Sequence, residues 1–325
     1  MGHDQTTRRQ ALAALGAAWL WDIPFSAGAQ TASVDLFHDA PSRLHGKRAA
    51  PYTPPNQLSA VADLYRRMTV AIHVNGAGPY GFVVDTGANQ SVISSELALQ
   101  LSLPTGPNAP LNGVAGIQMA PTTNARLEVG KRLLPGQTLS VLPQAGIGGA
   151  GMLGLDAIGD YALTLDFAGK GLRIETRQSN WADPDAVRVK ARRRDGQLTL
   201  VDAYLGGVPL TAFIDSGAEN TIGNMTLRQM ALTRNPKSPW TMTPIVSSTG
   251  QVIMAEIADL PALRVGGLRL PNWPVAFADL HTFRMWNMVD KPAILIGVDI
   301  LSRFEYVCLD FARDEVRFRL PNAEA

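Results

Sequence analysis

The sequence predicts a β-rich chain made of two copies of one folding unit, each contributing an acidic loop. Two stretches carry this prediction, Val83–Ala88 (VVDTGA) and Phe213–Ala218 (FIDSGA). In each, an apolar run typical of a strand ends at an aspartate, a hydroxyl residue follows, and Gly-Ala permits a sharp turn. The two aspartates, Asp85 and Asp215, are 130 residues apart, about the length of one small domain.

The segments before each aspartate follow one plan of strand, turn and returning strand. They are 68–74, Asn75-Gly76 and 80–84 in the first copy, and 198–204, Gly206-Gly207 and 210–214 in the second. Nine residues beyond each aspartate stands a residue type that commonly begins helices, Ser94 or Asn224. We therefore expect short helices over 96–101 and 225–232.

Each copy then has a polar, glycine-bearing segment between two possible strands, at 112–116 and 247–250. We interpret both as mobile hairpin tips. The tip residues are Asn112, Gly113, Val114, Ser248, Thr249 and Gly250.

Each copy closes with an apolar pair, a glycine, one residue and an aspartate. These elements contain Gly154 and Gly297, and they are followed by two strands each, at 162–167 and 172–175, and at 306–311 and 315–318. We expect Asp156 and Asp299 to cap the short helices that begin there. Repetition of so many features in one order indicates duplication.

The N-terminus resembles a twin-arginine export signal over residues 1–29. An arginine pair, Arg8-Arg9, precedes a short Ala-rich apolar run and an Ala27-Gly28-Ala29 cleavage site. The run is too short to cross a bilayer, which needs about 20 apolar residues. An ordinary amphipathic N-terminal helix is the alternative. The signal predicts a periplasmic or secreted bacterial protein whose precursor meets the twin-arginine export machinery and which has no stable membrane span.

The remaining boundaries follow from composition. Residues 30–64 form a polar, Pro-rich leader that is either a tether or self-inhibitory, and residues 179–195 form a polar linker with a solvated basic run. The two predicted lobes are therefore 65–178 and 196–321.

Composition excludes several classes of function. The formal net charge of +1 argues against nucleic-acid binding. The five histidines show no metal-ligand spacing, so we expect no metal or other cofactor. The lone Cys308 lies in an apolar strand-like run, which favours a buried structural thiol. Residues 146–151 formally fit G-x-G-x-x-G, but without a βαβ plan they read as a flexible loop.

The paired Asp-Thr-Gly-Ala and Asp-Ser-Gly-Ala motifs, with the apolar-Gly elements at Gly154 and Gly297, resemble the retropepsin and pepsin superfamily of aspartic peptidases. The resemblance covers about residues 68–320. It implies an all-β, bilobal fold with the active site in the cleft between pseudo-twofold-related lobes. Because one chain supplies both halves, we expect a monomer.

The resemblance implies a role for each loop residue. Asp85 and Asp215 would be catalytic and activate a water that attacks a peptide bond. Thr86 and Ser216 would hydrogen-bond across the lobes, and Gly87 and Gly217 would let backbone N–H groups approach the carboxylates. The resemblance also makes the residues of the two hairpin tips candidates for substrate-binding flaps, although neither tip carries the tyrosine of the pepsin flap. Leu155 and Val298 replace an arginine that supports the retroviral dimer.

Ala88 and Ala218 stand where many acid-active pepsins have a hydroxyl, which predicts activity nearer mildly acidic or neutral pH. Trp240, Trp273 and Trp286 could line substrate pockets or simply pack in the core or at its rim. The alternative function is a non-catalytic periplasmic module that binds peptides in the same cleft.

Overall fold

The computed structural model describes residues 57–62, 67–159, 161–175, 183–194, 196–200 and 202–321, with backbone alone for 57–62. The predicted export signal, and the predicted leader up to residue 56, lie outside the described residues.

Twenty-four strands and six short helices make up this part of the chain. The strands are β1 (Gln57–Ala62), β2 (Met68–Val74), β3 (Ala77–Val84), β4 (Val92–Ser94), β5 (Gly106–Asn112), β6 (Ile117–Val129), β7 (Arg132–Leu142), β8 (Gly151–Leu153), β9 (Ala162–Asp166), β10 (Gly171–Glu175), β11 (Val187–Arg194), β12 (Gln197–Leu200), β13 (Ala203–Leu205), β14 (Val208–Pro209), β15 (Thr211–Ile214), β16 (Ile222–Gly223), β17 (Trp240–Val246), β18 (Val252–Leu260), β19 (Leu263–Val265), β20 (Leu268–Leu270), β21 (Trp273–Phe277), β22 (Ala293–Ile296), β23 (Tyr306–Asp310) and β24 (Glu315–Arg319). The helices are α1 (Ser95–Gln100), α2 (Gln144–Ile147), α3 (Leu155–Ile158), α4 (Met225–Arg234), α5 (His281–Met285) and α6 (Val298–Leu301).

A central antiparallel sheet joins the two lobes. Its strand order is β1-β10-β9-β23-β24-β11, so each lobe contributes three strands in mirrored sequence. Within this sheet, the strands of the two lobes meet at the pair β9–β23, in which Leu163 faces Leu309. Both of these residues belong to the main apolar core, which runs through both lobes. The prediction of an all-β bilobal fold is confirmed.

The two lobes repeat one strand arrangement around the loops that carry the aspartates. In the first lobe β3 pairs in parallel with β8, β8 pairs with β4, and β4 pairs in parallel with β7. In the second lobe β15, β22, β16 and β21 repeat these three pairings with the same directions. The sequence repeat is therefore a structural repeat.

The helix starts expected at Ser94 and Asn224 are confirmed. Each residue is the N-cap of its helix, and its side-chain oxygen accepts a hydrogen bond from the N–H three residues on, that of Leu97 or Leu227. Among the described residues, no helix has the length and apolar character needed to cross a membrane.

Two strands lie where the sequence predicts a leader and a linker. β1 pairs with both β10 and β2, and β11 pairs with both β24 and β12, so the two strands occupy equivalent places. In β11 the buried Val189 and Ala191 alternate with exposed Lys190 and Arg192. This alternation is typical of a half-buried strand, but the basic side chains led to the prediction of a linker. Each lobe therefore begins earlier than its hydrophobic content suggests.

Candidate active site

Each aspartate follows directly on a strand and is fixed by the neighbouring parallel strand. The Asp85 N–H donates to the Leu153 carbonyl at 3.0 Å, and the Asp215 N–H donates to the Ile296 carbonyl at 3.0 Å. The apolar pairs before Gly154 and Gly297 therefore support the two loops. Short apolar strands buried on both faces suit a parallel arrangement of this kind.

The two loops exchange hydrogen bonds through their hydroxyl residues. The Thr86 hydroxyl donates to the Ile214 carbonyl (2.9 Å) and accepts from the Ser216 N–H (3.0 Å). The Ser216 hydroxyl in turn donates to the Val84 carbonyl (2.8 Å) and accepts from the Thr86 N–H (3.1 Å). Both side chains are buried. These four bonds lock the lobes in register at the point where the aspartates meet.

The carboxyl groups of Asp85 and Asp215 are hydrogen-bonded to each other. Asp85 Oδ1 also accepts from the N–H groups of Gly87 (2.8 Å) and Ala88 (3.0 Å), and Asp215 Oδ1 accepts equivalently from Gly217 (2.9 Å) and Ala218 (3.1 Å). Asp85 is 9% exposed and Asp215 somewhat more, so the pair keeps a path to solvent.

Glycine is required after each hydroxyl residue because the loops come very close together. A Cβ atom on Gly87 would stand 2.6 Å from the carboxyl group of Asp215, and one on Gly217 would be nearer still to that of Asp85. Any larger residue would push the carboxyl groups apart. The sequence prediction of a backbone that approaches the carboxylates therefore has a direct steric basis here.

Burial raises the pKa of both carboxyl groups above the usual value of an aspartate. Burial, and then the negative charge of Asp85, raise the pKa of Asp215 to about 7. Burial also raises the pKa of Asp85, but the Gly87 N–H, the positive charge of Arg67 and the Ala88 N–H oppose that rise. Two carboxyl groups in hydrogen-bond contact cannot both ionise easily. The pair therefore loses its two protons in two separate steps.

Arg67 makes the two halves electrostatically different. The antiparallel register of β2 with β3, continued past Thr69 and Val83, sets Arg67 opposite Asp85, and that of β12 with β15 sets Gln197 opposite Asp215. Arg67 is buried and donates to the Ile147 carbonyl at 2.7 Å. Gln197 is also buried, and its amide donates to the Gly87 carbonyl at 3.2 Å. One half thus holds a cation where the other holds a neutral amide.

Sequence reasoning missed Arg67 and Gln197, although a signal was present. Each stands eighteen residues before its aspartate, so aligning the two copies on Asp85 and Asp215 would have paired them. The signal was overlooked because Arg67 precedes the first alternating segment and Gln197 adjoins a segment interpreted as linker.

The candidate substrate-covering residues lie on two hairpins, which we call the first hairpin (β5–β6) and the second hairpin (β17–β18). The structure brings their tips together. The Gln251 side chain accepts from the Ala115 N–H (3.0 Å) and donates to the Gly116 carbonyl (3.3 Å), while the Gln118 amide donates to the Thr249 carbonyl (3.4 Å). Each lobe therefore supplies one of two hairpins whose tips are hydrogen-bonded to each other.

Contacts with the C-terminal lobe also fix the tip of the first hairpin. The His281 N–H donates to the Val114 carbonyl at 2.7 Å, and the His281 ring pairs with Asn112 Oδ1 at 3.3 Å. A Cβ atom on Gly113 would meet the side chains of Thr249 and Gln251, so the tips fit closely. Val114 packs against the apolar cluster that contains Phe213, two residues before Asp215. Neither Gln251 nor His281 was predicted from the sequence.

The prediction that Asp156 and Asp299 cap helices is confirmed in part. The N-cap positions of α3 and α6 are held by Gly154 and Gly297, but each carboxylate accepts from a first-turn N–H of its helix, that of Ala157 or Ile300, at 2.9 Å. Asp156 also accepts from the Ser91 hydroxyl (2.7 Å), and Asp299 from the Thr221 hydroxyl (2.7 Å). Those hydroxyls accept in turn from the N–H groups of the two glycines, at 3.0 and 3.1 Å. The aspartates therefore brace the elements that support the loops carrying Asp85 and Asp215.

The other residues singled out from the sequence have structural surroundings. Trp286 is buried and stacks on Phe213 with ring centroids 4.1 Å apart, Trp273 donates to Asp299 (2.9 Å), and Trp240 is exposed. Cys308 is buried, and burial raises the pKa of its thiol to about 11, which makes it unreactive. The segment interpreted as a flexible loop at 146–151 begins in helix α2 and ends in strand β8.

Two related β lobes that bring one aspartate each to a shared hydrogen bond are the arrangement of aspartic peptidases. The family of gag-polyprotein aspartyl proteases matches residues 70–160, and a second aspartyl protease family matches residues 201–300. Each match falls on one lobe and contains one of the two aspartates. Together they support placing the chain in the retropepsin-like aspartic peptidase superfamily and support a peptidase activity. Comparison with curated proteins gave no significant match.

Proposed function

We propose that the protein is an aspartic endopeptidase that cleaves exported or periplasmic proteins, with Asp85 and Asp215 as its catalytic residues. The observation that carries the proposal is the hydrogen-bonded carboxyl pair, fixed by the reciprocal bonds of Thr86 and Ser216. A structural pair of turns would have no need of two buried carboxyl groups in contact, since such contact opposes ionisation.

The proposed reaction uses a water bound between the two carboxyl groups. The ionised carboxylate takes a proton from the water while the water oxygen bonds to the peptide carbonyl carbon, and the protonated carboxyl group gives its proton to the carbonyl oxygen. The resulting tetrahedral diol then breaks its C–N bond as the amide nitrogen receives a proton from the carboxyl group that first accepted one. One diol hydroxyl becomes the new carbonyl and returns its proton to the other carboxylate, so both groups regain their starting states. No bond forms between substrate and protein.

The asymmetry around Arg67 assigns the two roles. Positive charge beside Asp85 favours its ionised form, which makes Asp85 the general base. The negative charge of Asp85 and burial hold Asp215 protonated up to about pH 7, which makes Asp215 the general acid. This combination functions between mildly acidic and neutral pH, as the alanines at 88 and 218 also suggest.

The two hairpins supply the cover for an extended substrate chain. Edge strands and hairpins recognise extended peptides through main-chain hydrogen bonds, with pockets for alternate side chains. Bond-exchanging tips from both lobes would have to separate to admit the chain and would close over it, which excludes bulk solvent from the site while keeping the one bound water that reacts.

The cellular location follows from the twin-arginine-like segment at residues 1–29, which places the mature protein outside the cytoplasm. Replacing Arg8 and Arg9 with lysine should retain the protein in the cytoplasm of a twin-arginine-competent bacterium. Equal periplasmic recovery of both forms would contradict export by this route.

The decisive test incubates the mature protein with a diverse peptide library and reads cleavage sites by mass spectrometry. Asp85→Asn and Asp215→Asn should each abolish cleavage. Asp314→Asn, which alters an exposed carboxylate paired with Arg193, should leave cleavage intact. Binding of peptides by all four proteins without cleavage by any of them would favour the alternative of a non-catalytic binding module.

A further inference from the structure

The two hairpins expose apolar side chains on the faces that point away from the lobes. Leu111 and Ala120 of the first hairpin and Ile253 of the second turn inward, where they pack in the apolar clusters of the lobes. Because side chains alternate along a strand, their neighbours point outward. Six large apolar residues there, each between 48% and 63% exposed, form what we call the outer face: Ile117, Met119, Met242, Val246, Val252 and Met254.

The outer face continues from one hairpin to the other. Val246 lies directly opposite Val252 in the strand register, so both side chains are on one side of the second hairpin. The Gln251 side chain donates to the Gly116 carbonyl at 3.3 Å. Ile117 and Val252 each follow one of these two bonded residues, so the apolar side chains of the two hairpins adjoin.

The hairpins carry no charge near their tips. The chain as a whole is 18% charged, yet residues 97–125 and 238–255 contain no Asp, Glu, Lys or Arg. Soluble proteins usually intersperse charges of both signs over their surface, which keeps them from associating. An uncharged apolar surface of this extent indicates a contact with another molecule.

The size of the outer face suits an interface between two proteins. From their exposed fractions, the six side chains present on the order of 600 Å², the upper end of the largest apolar patches on monomers. Two such faces packed together would bury about 1,200 Å², which reaches the range of specific interfaces. The exposed Trp240 beside the outer face would add to this area.

The free edges of the hairpins are protected from pairing with another strand. Among the described strands, β5 pairs only with β6, and β17 pairs only with β18. Pro107 and Pro110 lie in β5, and Pro244 lies in β17. Proline has no N–H to donate to a neighbouring strand. A partner is therefore expected to pack on the outer face rather than to extend the sheet.

The chemistry of the outer face fits a second copy of the chain. An uncharged apolar face meets its own copy without like-charge repulsion, and two-fold symmetry makes the same surface serve both partners. A lipid surface fits less well, because the tip residues 247–251 are polar and no Lys or Arg lies near the tips to attract anionic lipids. Each chain already holds both Asp85 and Asp215, so such a dimer would not be needed to bring the two aspartates together.

We propose that two copies of the chain associate through their outer faces into a two-fold symmetric dimer. The apolar side chains of the two hairpin pairs pack face to face, and the tips of each copy are covered by the other. The dimer does not depend on the proposed peptidase activity, so it can be measured whether or not the protein cleaves peptides.

Sedimentation velocity of the full chain between about 1 and 100 µM tests the proposal, since interfaces of this size range from micromolar to tighter affinities. We expect the sedimentation coefficient of a dimer at the upper end of this range. Hydroxyl-radical footprinting should show slower oxidation of Met119, Met242 and Met254 in the dimer than in a monomeric variant. A chain that stays monomeric throughout would overturn the proposal, and so would a dimer in which these methionines are not protected.

Charged substitutions locate the contact. Ile117→Lys and Met254→Lys each change one exposed residue of one hairpin and would bury an unpaired charge in the apolar contact, so the dissociation constant should rise at least about tenfold. Leu133→Lys is the matched control, because Leu133 is also a strand residue and is 55% exposed, as Met254 is. It lies outside the outer face and should leave the dissociation constant unchanged.

Circular dichroism should show that all three variants remain folded, since each substitution is at an exposed position. Equal weakening by the control, or no weakening by either hairpin variant, would place the contact elsewhere and overturn the assignment. A chain that remains monomeric but cosediments with phosphatidylcholine vesicles would assign the outer face to lipid and would overturn the dimer too.

Discussion

Replacing Arg67 with glutamine should make the two halves of the site electrostatically alike, because glutamine is the residue at the equivalent position, 197. Arg67 is buried, so solvent screens its charge only weakly, and it lies opposite Asp85 in the strand register. A neighbouring cation commonly lowers a carboxyl pKa by about one unit or more. Without it, the lower of the two apparent pKa values of the pair should rise by about one unit, which is about 1.4 kcal/mol.

The assay is the pH dependence of kcat/KM on a peptide that the wild-type protein cleaves. The base must be ionised for reaction, so raising its pKa moves the acid limb of the profile upward by about one pH unit. Below that limb the variant should be about tenfold slower than wild type, and between the limbs the two rates should nearly coincide.

Arg67→Lys provides the control for lost packing. Lysine keeps the positive charge but not the geometry of the hydrogen bond to the Ile147 carbonyl. Its acid limb should therefore stay close to that of the wild type. If Arg67→Gln and Arg67→Lys shift the limb equally, or if neither shifts it, then the charge of Arg67 does not decide which aspartate is the base.

Three further predictions concern stability and the hairpins. Thr86→Val leaves the Ser216 N–H and the Ile214 carbonyl buried without their hydrogen-bond partner. Urea unfolding should therefore show a free energy of unfolding that is lower by about 2–5 kcal/mol. Thr69→Val removes a hydroxyl that has no partner among the described residues, so it should change the free energy of unfolding little. Because the pKa of Asp215 is raised to about 7, its proton stabilises the fold below about pH 4, and this contribution is lost as the pH rises towards 7. Asp215→Asn should remove that decline in thermal unfolding curves, and an unchanged pH slope would contradict the raised pKa. Gln251→Leu removes the acceptor of the Ala115 N–H, so hydrogen exchange of the first hairpin tip should accelerate, whereas Gln137→Leu, on the neighbouring strand β7, should not affect it. Equal exchange in all three proteins would show that the tips do not hold each other.

The repeat could be predicted from the sequence because it consists of local sequence patterns. Strand alternation, turn residues and the two Asp-hydroxyl-Gly-Ala motifs each depend on a few neighbouring residues, and their recurrence in one order indicated the two lobes and both aspartates. The helix starts at Ser94 and Asn224 could be predicted in the same way, because a capping hydrogen bond joins residues only three positions apart.

The sequence was a poorer guide where a residue type suits both a local role and a contact with a distant part of the chain. Asp156 and Asp299 each accept a first-turn N–H of the helix, as expected, but the sequence did not predict their second hydrogen bonds, to Ser91 and Thr221 on another loop of the same lobe. The basic strand β11 was interpreted as a linker because its exposed arginines and lysine outweighed the alternating apolar residues that the core buries.

The sequence by itself determined the two-lobed β fold and named the acidic pair, because those features rest on local periodicity and on a motif repeated at one spacing. Only the tertiary structure showed that a cation stands beside Asp85 and an amide beside Asp215, and that Gln251 joins the two hairpin tips. Those facts depend on side chains brought together from distant parts of the chain, and the free energies that arrange them are set by burial and mutual contact rather than by neighbours in sequence.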